Sequence, residues 1–170
     1  MTWQATSLAL AASAILVLPG LAAAQTVVAF VDTTRAAANS SKGKAAEQTL
    51  KNLREEKRGE FQPQDEALKR MRDEYETQRF VLSREALQER EIEILKTQRN
   101  LERELEAAQE EFEIEQRRLM QPILKSILDV VNQVAKDKGY GLVLEKTSPG
   151  VLFYSEQLDI TDEVISRLNK

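Results

Sequence analysis

The chain has 170 residues and a formal net charge of −4, with 31% charged and only 5% aromatic side chains. It contains no cysteine and no histidine, which removes disulfides, the commonest zinc and iron ligands and the usual nucleophile–base pairs. Its 28 acidic residues are spread along the chain, and no basic stripe of nucleic-acid-binding size stands against them. No catalytic, cofactor or metal site and no nucleic-acid partner is therefore expected.

Residues 8–18 (LALAASAILVL) form an apolar run that Pro19-Gly20 breaks, and Ala22-Ala23-Ala24 offers a small-residue cleavage site before Gln25. The run is too short to span a bilayer, so residues 1–24 read as a cleaved secretory signal peptide. No Lys or Arg precedes it, and an uncleaved anchor is the alternative. Without disulfides, packing or oligomerisation must hold the exported chain together.

Residues 27–31 (VVAFV) predict a strand that is apolar on both faces. Thr33-Thr34 and Ser40-Ser41 are both helix-start signals, with a short irregular or helical link between them. Residues 25–40 thus read as the first strand and link of a small body. A long charged, helix-like run follows, from about residue 41 to residue 138.

Its first half carries Leu50, Leu53, Leu68, Met71, Tyr75 and Leu82, and from Leu68 onward the positions 68, 71, 75, 78 and 82 have the three-and-four spacing of a coiled-coil seam. Gln78 interrupts that seam, and upstream the heptad meets Lys57, Glu60 and Gln64. Gly59 and Pro63 lie one turn apart in the weak stretch, and interior Pro and Gly cost about 3 and 1 kcal/mol relative to Ala. They predict a hinge, as either a kink or a helix break. Residues 80–83 (FVLS) are the best turn signal, with Ser83 as a helix cap and Glu85 in the next first turn.

The second half shows the clearer seam: Ile94, Gln98, Leu101, Leu105, Ala108, Phe112, Glu115 and Leu119. Residues 41–120 thus read as a helical hairpin with its tip near 80–84. The bland alternative is one continuous dimeric coiled coil.

After Leu119 the apolar stripe widens to Ile123, Leu124, Ile127, Leu128, Val130, Val131 and Val134, so the helix should leave the shaft and pack on a sheet. Gly139 ends it. Ser148-Pro149-Gly150 places Pro and Gly at the centre of a type II turn, which predicts an antiparallel hairpin of 142–145 with 151–155. Thr161 can cap a last helix. Residues 121–170 thus supply the helix root, β-hairpin and C-terminal helix of the body. The fold class is α+β, mostly α: a long coiled-coil hairpin on a small β-sheet body. Three strands apolar on both faces are marginal alone, so Val28, Phe30, Leu142, Val143, Leu144, Leu152 and Tyr154 are expected to pack against other copies.

At this point the residues match a family. VVAFVD, SSKGKAAEQTL, FQPQDEAL, VLSREAL, LMQPILKSILDVVNQVAKDKGYGLVLE, VLFYSE and LDITDEVISRL occur in order over nearly the whole mature chain. In these stretches the chain resembles the periplasmic chaperones of the Skp (OmpH) family. The resemblance implies a homotrimer in which strands of three subunits form an intersubunit β-barrel and three helical tentacles surround a cavity. It implies a periplasmic holdase that keeps unfolded outer-membrane β-barrel proteins from aggregating, without ATP.

A holdase needs many weak contacts, because ordering a client would cost on the order of 1 kcal/mol per residue. Apolar side chains near the tip, Phe80, Val81, Leu82, Leu87, Ile92 and Ile94, are the client-contact candidates. Hairpin packing is the competing role for each of them. The chain departs from well-known members, which are strongly basic: its pI is about 5.2. Residues 102–115 hold seven Glu against one Arg, and residues 79–99 set five basic residues against four acidic ones. Client binding should therefore depend less on salt than in a basic relative. No lipopolysaccharide-binding residues can be matched, and peripheral contact with a membrane is left open. The rival function is an exported structural or adaptor protein of the cell envelope.

Overall fold

In the computed structural model the structure describes residues 26–170. The expected signal peptide lies outside them. The elements are β1 (Val28–Val31), α1 (Thr33–Asn39), α2 (Ser41–Gln78), α3 (Arg84–Lys138), β2 (Leu142–Glu145), a 3₁₀ turn (Glu156–Leu158) and α4 (Thr161–Leu168).

Each helix start has a visible chemical cause. The Asp32 carboxylate accepts the Arg35 N–H at 2.7 Å and opens α1. Ser40 is buried at the α1–α2 corner, where its hydroxyl donates to the Ala37 carbonyl at 2.8 Å and accepts the Gly43 N–H at 2.9 Å. Ser83 caps α3 through the Ala86 N–H at 3.2 Å, as its side chain and position predict. Gly139 takes φ +71 and closes α3, with the Tyr140 N–H reaching back to the Ala135 carbonyl at 2.9 Å.

Helices α2 and α3 pack side by side as an antiparallel hairpin whose turn occupies residues 79–83. At 1.5 Å per residue they run roughly 57 and 82 Å. Helix α2 continues through Gly59 and Pro63, so the helix does not break there. Both residues are exposed, which lets water serve the Gly59 carbonyl that Pro63 cannot bond. Of the α3 seam, Leu101 is buried, Leu105 is exposed, and the other six positions are partly buried.

Helix α3 is 17 residues longer than α2. The surplus carries it past α1 and down across the sheet, so β2 starts at the same end as β1. The two strands therefore pair in parallel, Val28 with Leu142 through Val31 with Glu145. Such a pairing needs a long crossover, and the whole shaft serves as one.

The expected antiparallel hairpin does not form: residues 151–155 are not a strand, and the sheet has two strands. A turn is present, closed by the Val151 N–H on the Ser148 carbonyl at 2.9 Å. Gly150 is not left-handed, however, so the turn is not type II. The chain swings back across the sheet, and the Ile160 N–H reaches the Phe30 carbonyl at 2.8 Å on the other edge of β1.

Alternation along β1 turns Ala29 and Val31 inward. They join Ile123, Ile127, Val131 and Val134 of α3, Ala36 and Ala37 of α1, and Ile160 and Val164 near α4 in one core. Thr161 does not cap α4. It is fully buried, and its hydroxyl accepts the Asp32 N–H at 2.9 Å and donates to Asp159, tying the C-terminal segment to the end of β1.

Candidate functional site

An open apolar surface marks each end of the molecule. The first is the hairpin tip. A turn between two helices has no third element to bury its side chains, so Phe80 and Val81 are 84% and 79% exposed. Ile92, in the third turn of α3, is exposed with them, and Leu95, which was not among the client-contact candidates, lies one turn further. Leu82, Leu87 and Ile94 are partly buried, and Ile94 shares a recess with Met71 and Tyr75 of the opposite helix. The six tip candidates thus divide into an outward set and a set turned toward the hairpin.

The tip is close to neutral in charge. Arg79 pairs with Glu76 at 2.9 Å and lies over the Phe80 ring at 5.2 Å, and Arg90 pairs with Glu93 at 3.1 Å. Further down, polar contacts bridge the hairpin. Lys57 meets Glu111 at 3.0 Å, Arg72 donates to Gln98 at 2.8 Å, and Arg54 lies 5.1 Å over the Phe112 ring. The hydrogen bond to Glu111 holds the Lys57 ammonium above its usual pKa.

The second surface is the outer face of the sheet. Val28 and Phe30 of β1 and Leu142 and Leu144 of β2 point away from the core, as period-two alternation requires. Val143 is on the opposite face and packs against the core. Residues 147–158 loop over this face: the Tyr154 ring lies 5.4 Å from that of Phe30, while Leu152 and Phe153 are 97% and 88% exposed. Phe153 also escaped the sequence reading, although VLFY places it beside Leu152.

A polar knot anchors the loop. Lys146 reaches Asp159 at 3.1 Å and Asp32 at 3.9 Å and sits over the Tyr154 ring. Burial pushes the Asp159 carboxyl up, but hydrogen bonds from Thr161 and Lys146 outweigh it and hold the group below its ordinary pKa. Glu145 behaves alike: burial raises it, and bonds from Thr33 and Thr147 bring it below its ordinary value. Lys146 is raised in turn, chiefly by its bond to Asp159. Among the described residues there is no His, Cys, Asp and Glu cluster able to hold a metal, and no helix is long and apolar enough to cross a membrane.

A helical hairpin on a small parallel sheet, apolar at its tip and on its outer sheet face, defines an arm-and-body protein. The family profile described as "Outer membrane protein (OmpH-like)" matches residues 27–168, and the chain belongs to that family. Its fold is similar to a crystal structure from Caulobacter crescentus CB15 described as an OmpH-like outer membrane chaperone. The TM-score is 0.65 at 20% identity, over 95% of this chain and 90% of that one. No curated protein matches the sequence.

Proposed function

We propose that this chain is an ATP-independent holdase of the periplasm that keeps unfolded outer-membrane proteins from aggregating. The observation that carries the reading is the outward apolar tip, Phe80, Val81 and Ile92, at the end of a hairpin tens of ångströms long. The family and the chaperone description of its structural relative support it. Its signal-peptide-like first 24 residues point to export.

The arms act together. The outer sheet face is too apolar to stay in water, so copies of the body associate through Val28, Phe30, Leu142 and Leu144, with Leu152, Phe153 and Tyr154 beside them. The family resemblance supports an assembly of three copies around a shared β-barrel. Arms from one body then enclose a space in which a client touches several tips weakly and remains mobile. Many weak contacts avoid the ordering cost that one tight site would impose, about 1 kcal/mol per residue. No nucleotide is required, because release follows when the client folds elsewhere and its apolar surface is withdrawn.

The test is an aggregation assay with an unfolded β-barrel protein, comparing wild type with the triple variant Phe80→Ser, Val81→Ser, Ile92→Ser. Suppression should weaken while helicity and assembly mass stay constant. Unchanged suppression would remove the tip from the mechanism. A pull-down returning one stoichiometric envelope protein would replace the holdase with an adaptor.

A further inference from the structure

A third apolar surface lies where the shaft meets the body. A hollow of about 500 Å³ sits between α1, α2 and α3, floored by Ala37, Leu50, Phe112, Met120 and Leu124. That volume falls among ordinary ligand pockets, about 300–1,000 Å³. Leu128, one turn beyond Leu124, is exposed on the same stripe. The α3 root is thus apolar on two sides. Ile123, Ile127 and Val131 fill the core, while Leu124 and Leu128 stand at 43% and 56% exposure. The sequence reading placed all of them against the sheet, and these two are left over.

The rim of the hollow suggests its occupant. Lys51 and Arg54 stand there with Glu47, so cations outnumber anions by one on a chain that is acidic as a whole. Six basic residues of the shaft, Lys57, Arg58, Arg79, Arg90, Arg117 and Arg118, are in ion pairs, whereas others, such as Lys69, Arg70, Arg84, Lys96 and Arg99, stand in open water away from any apolar hollow of the root. Lys51 and Arg54 enter none among the described residues. Arg54 lies instead over the Phe112 ring, at the junction of the apolar floor and the charged rim. An extended segment would place a bulky side chain on Phe112, Met120 and Leu124 and a neighbouring carboxylate against the two cations.

We propose that this root hollow is a client subsite selecting segments in which an aromatic or large aliphatic side chain neighbours a carboxylate. The inference rests on the holdase reading and adds to it a preference that the near-neutral tip does not provide. Outer-membrane strands supply such segments, since they alternate apolar with polar residues and carry aromatic girdles.

The experiment uses the full assembly and two short fluorescent peptides, one alternating Phe with Asp and Ser, the other with Lys in place of Asp. Anisotropy at low salt should show the acidic peptide bound about tenfold more tightly. The exposed pair Lys51→Glu, Arg54→Glu should reverse that order. Ala38→Trp, which fills the hollow from an exposed position without changing charge, should weaken the acidic peptide about tenfold at unchanged helicity and mass. Equal affinities, or variants that bind as wild type does, overturn the subsite. So does an Ala38→Trp variant that changes the assembly mass and not the binding, because the hollow then belongs to an interface between copies. If wild type suppresses aggregation of the whole β-barrel protein but shows no peptide preference, the subsite falls and the holdase stands. If it suppresses nothing, both fall.

Discussion

Gly43→Ala and Gly59→Ala, the same substitution in the same helix, should move stability in opposite directions. Gly43 lies in the first turn of α2, buried against the end of α1. A Cβ there would fall 1.8 Å from the Ala37 carbonyl oxygen, 2.8 Å from its carbonyl carbon and 2.9 Å from the Ser40 hydroxyl. Two of those atoms are backbone and cannot rotate away, so the α1–α2 corner has to open by more than an ångström. Opening it strains or breaks the Ser40 cap, which is worth about 1 kcal/mol, on top of about 1–3 kcal/mol for overpacking. Helix propensity returns about 1 kcal/mol, leaving a net loss of about 1–3 kcal/mol. At Gly59 nothing lies within 4 Å of the new methyl, so the gain of about 1 kcal/mol stands alone. Thermal unfolding followed by far-UV circular dichroism, at fixed protomer concentration, should show Tm falling by several degrees for Gly43→Ala. For Gly59→Ala it should rise by about 2–4 °C. A Gly43→Ala protein as stable as wild type would refute the corner geometry.

Three other outcomes follow from the body and from the charge pattern. Glu145 and Asp159 both titrate below their ordinary values of 4.5 and 3.8. Their contribution is therefore complete above those values and is lost as pH falls through the lower folded-state values. Unfolding measured downward from about pH 5 should show this loss, and Glu145→Gln should weaken the neutral protein and flatten its acid limb. An identical acid limb in the variant would contradict the assignment. Leu144→Asp, on the outer sheet face, should lower the mass seen by light scattering with helicity intact, whereas an unchanged mass would place the interface elsewhere. Client affinity should fall less than tenfold between low salt and about 0.15 M, and a larger fall would mean that the tip's near-neutral charge does not govern binding.

The shaft was legible because its signal is local. Spacing of three and four residues from Ile94 to Leu119 needs no knowledge of the rest of the chain, and Ser83 and Gly139 mark their helix ends by side-chain chemistry and backbone freedom. Sheet pairing is a different kind of fact. Residues 142–145 and 151–154 look alike as strands, and a Pro-Gly turn between them favours a hairpin. The partner of β2 is nevertheless fixed by where α3 sets the chain down, more than a hundred residues after β1. The unequal helix lengths held that clue, since a return helix that outruns its outgoing mate must cross the body. Thr161 misled for a related reason: its hydroxyl meets Asp32, 129 residues away, and so is not free to cap its own helix. The root hollow needs three helices to exist and leaves no mark in any one of them.

The polar positions of the seam bear on how the arm behaves. Lys57, Gln64 and Gln78 on α2, and Gln98 and Glu115 on α3, occupy places where a stable coiled coil would put Leu or Ile. Of these, Lys57 meets Glu111 and Gln98 meets Arg72 across the hairpin, and such partly exposed contacts contribute little to stability. Beyond Ala46 and before Ile123, only Leu68 and Leu101 are buried among the described residues, whereas Ile127, Val134 and Val164 of the body are sealed completely. Local opening should therefore cost least in the distal shaft and most at the α3 root. Amide hydrogen exchange should rank the segments accordingly, with the tip flanks fastest and residues 123–134 slowest. Equal protection along α3 would mean that the polar seam holds the hairpin as firmly as the core holds the body. An arm that opens cheaply can re-pack its Phe80, Val81 and Ile92 against many client sequences. A rigid arm would have to find each client already shaped to fit it.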